Sequence, residues 1–86
     1  MSMDRFEIGM LARSKAGHDK GHVYIIVETD ETCVYLVDGK IRTLDRPKKK
    51  KMKHVQLIKE KHDLAGLDDV GVKRILKVFD KELGRI

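Results

Sequence analysis

The chain has 86 residues, of which 41% are apolar and 38% are charged, and its formal net charge at pH 7 is +5. A chain of this length forms one domain with a small core. It has no apolar run near the roughly 20 residues of a membrane-spanning helix, no apolar signal segment at its N-terminus, and a single cysteine, which forms no intramolecular disulfide. We therefore expect a cytoplasmic protein that does not enter a membrane.

The first third of the sequence predicts two strands separated by a loop. Residues 7–14 indicate a first strand, in which Gly9 permits a bend or a close approach of the backbone. Residues 15–21 hold two glycines and no large apolar residue, which is typical of a loop. Residues 22–29 are rich in β-branched and aromatic side chains and predict the second strand. Residues 30–32 then turn the chain.

The middle of the sequence predicts three more short strands. Residues 33–37 alternate again and end at Asp38-Gly39, a dipeptide that favours a hairpin turn of type I′. The predicted return strand is residues 41–44, ended by Pro47, which cannot donate a hydrogen bond to a sheet. Residues 54–58 form the last strand. Five short strands at close spacing favour a small barrel over an open sheet.

The last segment changes to the apolar period of a helix. The apolar face consists of Val72, Ile75, Leu76, Phe79 and Leu83. Asp68 stands at the expected N-cap, Leu67 and Val72 are spaced as a hydrophobic staple, and Gly84 stands where a C-terminal glycine is expected. We therefore expect a barrel over residues 1–59, a connector over residues 60–67, and an amphipathic helix over residues 68–84 that packs on or beside the barrel.

The positive charge is concentrated in one stretch. Residues 40–53 hold eight basic residues and one acidic residue, a net charge of +7, so that the other 72 residues carry −2. Charge of one sign at this density is typical of a surface that binds a polyanion. The alternative is a solvated, disordered lysine run. Apolar residues flank the lysines of residues 48–53 on both sides, Leu44 before them and Val55 after them. We therefore expect these lysines to belong to the fold.

The sequence offers no catalytic or metal-binding pattern. Cys33 lies in an alternating apolar strand, where a free cysteine is usually a small core residue, and no adjacent base is available to activate it. Cys33, His54 and His62 lack the close ligand pairs of a zinc site. Gly39-Lys40 lacks the upstream glycine of a phosphate-binding loop. We expect no enzyme activity, no metal and no cofactor.

Residues 15–27 resemble a KOW motif, which is a short strand, a basic loop with glycines, and an apolar strand. Further landmarks follow in order, and together they resemble the small KOW-domain RNA-binding proteins of bacteria. These landmarks are Glu7-Ile8-Gly9, Ala16-Gly17-His18-Asp19-Lys20-Gly21, Val37-Asp38-Gly39-Lys40 and Lys53-His54-Val55. That branch is similar to a large-subunit ribosomal protein family of archaea and eukaryotes, the fourteen-e type. The resemblance covers about three-fifths of the chain.

The resemblance implies an SH3-like β-barrel that contacts ribosomal or other structured RNA through its loops. The family commonly has arginine where this chain has His18 and His22, so the first loop carries less positive charge than the family pattern. Gly17 and Gly21 are retained, and with them the backbone approach to RNA.

We therefore expect a non-catalytic, ribosome-associated protein that contacts the backbone of structured RNA, a monomer when it is off the ribosome. Two Tyr, two Phe and no Trp are too few for base stacking to dominate. Its expected partners are RNA, in particular ribosomal RNA of the large subunit, and ribosomal proteins. The expected RNA-binding residues are Lys15, Gly17, His18, Lys20, Gly21, His22, Lys40, Arg42, Arg46, Lys48, Lys49, Lys50, Lys51, Lys53 and His54. Among them the arginines favour bidentate phosphate contacts.

The alternative function is a protein-interaction module. In that case the lysine patch, or the polar face of the helix, docks on an acidic surface of a translation or transcription partner. An SH3-type groove for proline-rich peptides needs more aromatic residues than the chain has.

Overall fold

A computed structural model describes residues 5–82 of the chain, and within this range one antiparallel sheet of five strands precedes one helix. The strands are β1 (Met10–Ser14), β2 (Val23–Thr29), β3 (Cys33–Val37), β4 (Lys48–Lys51) and β5 (Val55–Lys61), and the helix is α1 (Asp69–Glu82). A one-turn 3-10 helix, Met52–His54, joins β4 to β5. This confirms the prediction of a mainly β fold with a C-terminal helix. None of the helices in this range is long and apolar enough to cross a bilayer.

The fourth strand is the lysine run itself. The predicted return strand over residues 41–44 is wrong, because those residues form turns and bends. The Asp38 carboxylate accepts hydrogen bonds from the backbone N–H groups of Lys40 and Arg42, at 2.9 and 3.0 Å, and so bends the chain locally. The predicted type I′ turn is also wrong, since it needs a positive φ at Asp38, and only glycines have positive φ in the described part of the chain. Pro47 precedes a strand instead of ending one.

The boundaries of the outer strands also differ from the predicted ones. β1 begins at Met10, later than predicted, because Gly9 adopts a φ of 95° and passes so close to His62 that a Cβ atom would overlap the His62 carbonyl oxygen. The prediction of a close approach at Gly9 is thereby confirmed. β5 continues to Lys61 and thus takes two residues from the predicted connector. β3 has the predicted bounds.

The sheet is curled. Its strand order is β4-β3-β2-β1-β5, so that β4 and β5 are the outer strands. In a flat sheet of five strands these two would lie about 19 Å apart. The four steps along the chain from Lys51 to Val55 span at most about 14 Å, and the outer strands must therefore approach each other at this end. Register shifts in β1 and β2 add to the bending.

Alternate residues of the strands supply two separate apolar clusters. The first consists of Ala12, Tyr24, Ile26, Val34, Leu36 and Val55. The second joins the sheet to the helix and consists of Leu11, Ile25, Val37, Val72 and Phe79, with residues such as Leu64 and Leu67 packed against it. Because the segment before α1 contributes to this second cluster, it is part of the core as well as a connector.

The start of α1 follows the predicted capping pattern. The Asp68 carboxylate accepts a hydrogen bond from the Gly71 N–H at 2.8 Å, which confirms Asp68 as the N-cap. Leu67 and Val72 belong to the same apolar cluster, as a hydrophobic staple requires. The predicted contributions of Leu83 and Gly84 lie outside the described residues.

The turn after β3 packs directly on the first turn of α1. Gly39 is buried with a φ of 79°, and a Cβ atom there would overlap the Asp69 carbonyl oxygen and lie 2.8 Å from Cγ of Lys73. The Leu44 N–H donates to the Asp69 carboxylate at 2.8 Å. The position of the helix therefore depends on a glycine at residue 39.

We predict that Gly39→Ala lowers the free energy of unfolding by about 2–4 kcal/mol. The left-handed backbone costs an alanine about 1 kcal/mol, and displacement of the helix adds an overpacking cost of about 1–3 kcal/mol. Gly66→Ala is the matched control, because Gly66 also has a positive φ but has open space around it, and we expect it to cost about 1 kcal/mol. Urea denaturation measures both, and equal losses would contradict the direct packing of this turn on α1.

Candidate functional site

One carboxylate holds the loop between β1 and β2. Asp19 accepts hydrogen bonds from the Ser14 hydroxyl at 2.8 Å and from the Tyr24 hydroxyl at 2.6 Å. The ammonium groups of Lys48 and Lys50 lie 3.1 and 3.2 Å from the same carboxylate. Two strand residues and two lysines of β4 thus converge on a single side chain of the loop.

This cluster fixes the charge states of Asp19 and Tyr24. Partial burial raises the pKa of the Asp19 carboxyl, but the hydrogen bonds from Tyr24, Ser14 and the two lysines outweigh burial and hold that pKa well below its usual range. Burial and the hydrogen bond to Asp19 raise the pKa of Tyr24. Asp19 is therefore ionised and Tyr24 neutral at pH 7. Because Asp19 is the only acid between residues 15 and 21, the charge that the loop presents to solvent is positive.

The lysines of β4 divide into two pairs, because successive residues of a strand point to opposite faces. Lys48 and Lys50 lie opposite Leu36 and Val34, residues of the first apolar cluster, and are only 27% and 11% exposed. Lys49 and Lys51 are exposed on the other face. The Lys49 ammonium lies 5.8 Å from the centroid of the Tyr35 ring, within the range of a cation–π contact. The four predicted phosphate contacts therefore do not form one patch.

The first half of the loop contacts β4 and the 3-10 helix. The Lys15 N–H donates to the His54 carbonyl at 2.8 Å, and the Lys50 ammonium donates to the Ala16 carbonyl at 3.0 Å. These contacts bring the start of the loop, where the predicted RNA-binding residues begin, close to Lys53 and His54, which are also predicted RNA-binding residues. Lys15, His18 and Lys20 are exposed in the loop, and Lys53 is exposed in the 3-10 helix.

The second half of the loop is tied to the turn after β3. Nε2 of His22 lies 2.9 Å from Oδ2 of Asp38, and the His22 ring packs on Tyr24 with the centroids 4.6 Å apart. Burial raises the pKa of Asp38, but the backbone N–H groups of Lys40 and Arg42, together with His22, outweigh it and leave the pKa below its ordinary value. The loop is therefore clamped by two carboxylates, Asp19 within it and Asp38 in the turn after β3.

The remaining predicted RNA-binding residues lie in the loop backbone and in the segment between β3 and β4. Gly17 and Gly21 adopt φ values of 89° and 90°, so that both turn the loop backbone. Lys40 and Arg46 are exposed in the segment between β3 and β4, whereas Arg42 is half-buried and its N–H is bound to Asp38. Lys40 lines a cleft together with Gly21 and so borders the second half of the loop.

Sequence reasoning missed three features of this surface. The anchoring roles of Asp19 and Asp38 depend on side chains that approach from other strands, although an acid in an otherwise basic loop is a visible signal. The division of the β4 lysines follows from strand alternation once the run is assigned to a strand. The exposed basic residues of α1, Lys73, Arg74 and Lys77, border the same loop only because of how the helix packs.

The chemistry available at this surface is the binding of anions. Cys33 is a free, buried thiol. In residues 5–82, no group of three or more His, Cys, Asp or Glu side chains is arranged to hold a metal ion. The exposed functional groups of the loop are ammonium and imidazole groups on a backbone that hydrogen bonds hold in place, which suits contact with phosphates.

Comparison with known proteins adds no relative, since neither a protein family nor a curated protein matches the chain.

We predict that Asp19→Asn lowers stability at neutral pH and reduces the loss of stability in acid. The folded pKa of Asp19 lies below its value in the unfolded chain, about 3.9, so the carboxylate stabilises the fold above that pH, and this contribution is lost as the pH falls further. The free energy of unfolding should fall more steeply for the wild type than for the variant between about pH 5 and pH 2.

Urea denaturation at a series of pH values measures this difference. Glu31→Gln removes an exposed carboxylate from the turn between β2 and β3 and serves as the control, with the wild-type pH dependence expected. Parallel curves for the wild type and Asp19→Asn would contradict the role of Asp19 as the anchor of the loop.

Proposed function

We propose that this chain is a non-catalytic RNA-binding protein that contacts the backbone of structured RNA. The observation that carries the proposal is that three elements in mutual contact carry exposed cations, while the one acid of the loop among them is paired with two lysines of the fold. The elements are the β1–β2 loop, the outer face of β4, and the 3-10 helix. The cations are Lys15, Lys20, Lys49, Lys51 and Lys53.

Backbone contact suits this surface better than base reading. Lysines neutralise phosphates and release counterions, which gives affinity with little sequence information. Proteins that read single-stranded bases generally display several aromatic side chains. Here Tyr24 is buried and bound to Asp19, and Tyr35 is half-buried beneath Lys49. The clamps fix the backbone of the loop that carries Lys15 and Lys20 before RNA binds, which lowers the entropy cost of binding.

We further propose that the curled sheet is an SH3-like barrel of the KOW type and that the RNA is ribosomal RNA of the large subunit, in the cytoplasm. The short 3-10 connection between the two outer strands supports the barrel. The ordered landmarks from Glu7 to Val55 support the ribosomal assignment, because they resemble the KOW-domain branch described above.

Two double variants of β4 remove the same charge with different expected results. Lys49→Gln with Lys51→Gln should weaken RNA binding and reduce the magnitude of the slope of log K against log salt by about 1.5. Both side chains are exposed, so the free energy of unfolding should fall only slightly, as expected for loss of the cation–π contact between Lys49 and Tyr35. Lys48→Gln with Lys50→Gln leaves Asp19 without its two ammonium partners and should lower the free energy of unfolding by about 1–3 kcal/mol. Fluorescence anisotropy with a labelled RNA hairpin and urea denaturation measure the two effects. Equal RNA affinity of the wild type and the Lys49/Lys51 variant would remove β4 from the interface.

The proposal as a whole is tested with the wild-type protein. We expect it to bind a structured RNA hairpin with a salt slope of about −4 to −5, as for roughly six phosphates, and to sediment with ribosomes at low salt but not at high salt. Failure to bind both RNA and ribosomes would overturn the proposal. If the protein instead binds only a protein partner from an extract, the alternative function as a protein-interaction module gains support.

A further inference from the structure

A cleft of about 710 Å³ lies between α1 and the second half of the β1–β2 loop. Its helix wall carries the exposed cations Lys73, Arg74 and Lys77. Its opposite wall includes Gly21 and the exposed Lys40. The cleft therefore joins the basic face of the helix to the loop of the proposed RNA surface.

The cleft is built by contacts that hold both walls in place. The close packing of Gly39 on the first turn of α1 sets the distance between the walls, and the hydrogen bond from Leu44 to Asp69 ties the same turn to the helix. On the loop side, the contact between His22 and Asp38 fixes the chain next to Gly21. A ligand thus meets a site that is already formed.

The charge of the cleft is unbalanced. Four cations line it, and within residues 5–82 none of them forms an ion pair with a carboxylate: Lys40, Lys73, Arg74 and Lys77. The lining also holds two acids, Asp38 and Asp80, so its cations outnumber its carboxylates by four to two. Asp38 is bound by His22 and by two backbone N–H groups. A concave surface with several cations concentrates anions from solution.

We propose that this cleft binds phosphodiester groups of the RNA backbone, so that the RNA surface continues from the loop onto α1. The proposal rests on the proposed function and extends its site. Lys73 and Lys77 stand on successive turns of the helix, about 5–6 Å apart at Cβ, and can each contact a phosphate of one strand. Arg74 can bind a phosphate through two parallel N–H groups. Apart from the chain neighbours of Gly21, no atom of residues 5–82 lies within 4 Å of a Cβ atom placed on it, so a phosphate can approach the backbone there.

The test compares two double variants that lose the same charge. Lys73→Gln with Lys77→Gln changes the cleft, whereas Lys59→Gln with Lys81→Gln changes two exposed lysines outside it. For the cleft variant, fluorescence anisotropy with a labelled RNA hairpin should show several-fold weaker binding and a salt slope smaller in magnitude by about 1.5. The control should change each quantity by less than half as much. Urea denaturation should show the cleft variant to be as stable as the wild type.

The outcomes separate this inference from the function on which it rests. If the wild type binds RNA and the two double variants bind equally well, the cleft inference is overturned and the proposed function stands. If the wild type binds no RNA, both fall.

Two further arms identify the source of the anion. In amide spectra of the labelled protein, the RNA hairpin should shift Gly21, Lys73 and Lys77. Shifts of these residues with inorganic phosphate but none with RNA would assign the cleft to a free anion and overturn the inference. Polyglutamate that displaces the hairpin as effectively as unlabelled RNA would overturn it in favour of an acidic protein surface.

Discussion

The interactions of the Asp19 carboxylate are the constraint on which the rest of the surface depends. Four side chains from β1, β2 and β4 meet at this group, so a loop with two left-handed glycines and several like charges takes one conformation. Without the carboxylate, Lys48 and Lys50 would lie beside the apolar cluster with no counter-charge, a costly arrangement for groups so little exposed. The same residue therefore permits a lysine strand to pack on the core and orders the loop that the strand contacts.

The parts of the fold that the sequence predicted are those governed by short-range patterns. The bounds of β3, the N-cap at Asp68 and the close approach at Gly9 follow from alternation, capping chemistry and the absence of a side chain. The return strand was placed in the wrong segment because Asp38 bonds to the chain two and four residues ahead and competes with a tight hairpin. A run of lysines has low strand propensity, and only pairing with Cys33–Val37 makes it a strand.

The sequence predicts which segments carry the positive charge of the candidate site, but not how these segments are arranged in space. Charge density alone marks residues 40–53, and glycine spacing marks the loop. Which lysines face solvent depends on strand alternation, and the participation of the helix depends on how α1 packs against the turn at Gly39. Both depend on tertiary packing, which the sequence pattern does not reveal. Two lysines of the run pair with Asp19 inside the fold, whereas three exposed basic residues of α1 line the cleft beside the loop.

β4 is also an outer strand of the sheet, and an outer strand offers unpaired backbone groups to any other strand that approaches. A second copy of this edge would bring its exposed Lys49 and Lys51 alongside those of the first copy, and like charges oppose such pairing. The exposed lysines of β4 therefore disfavour edge-to-edge pairing of two copies. This protection comes from charge repulsion, so it weakens as salt screens the lysines.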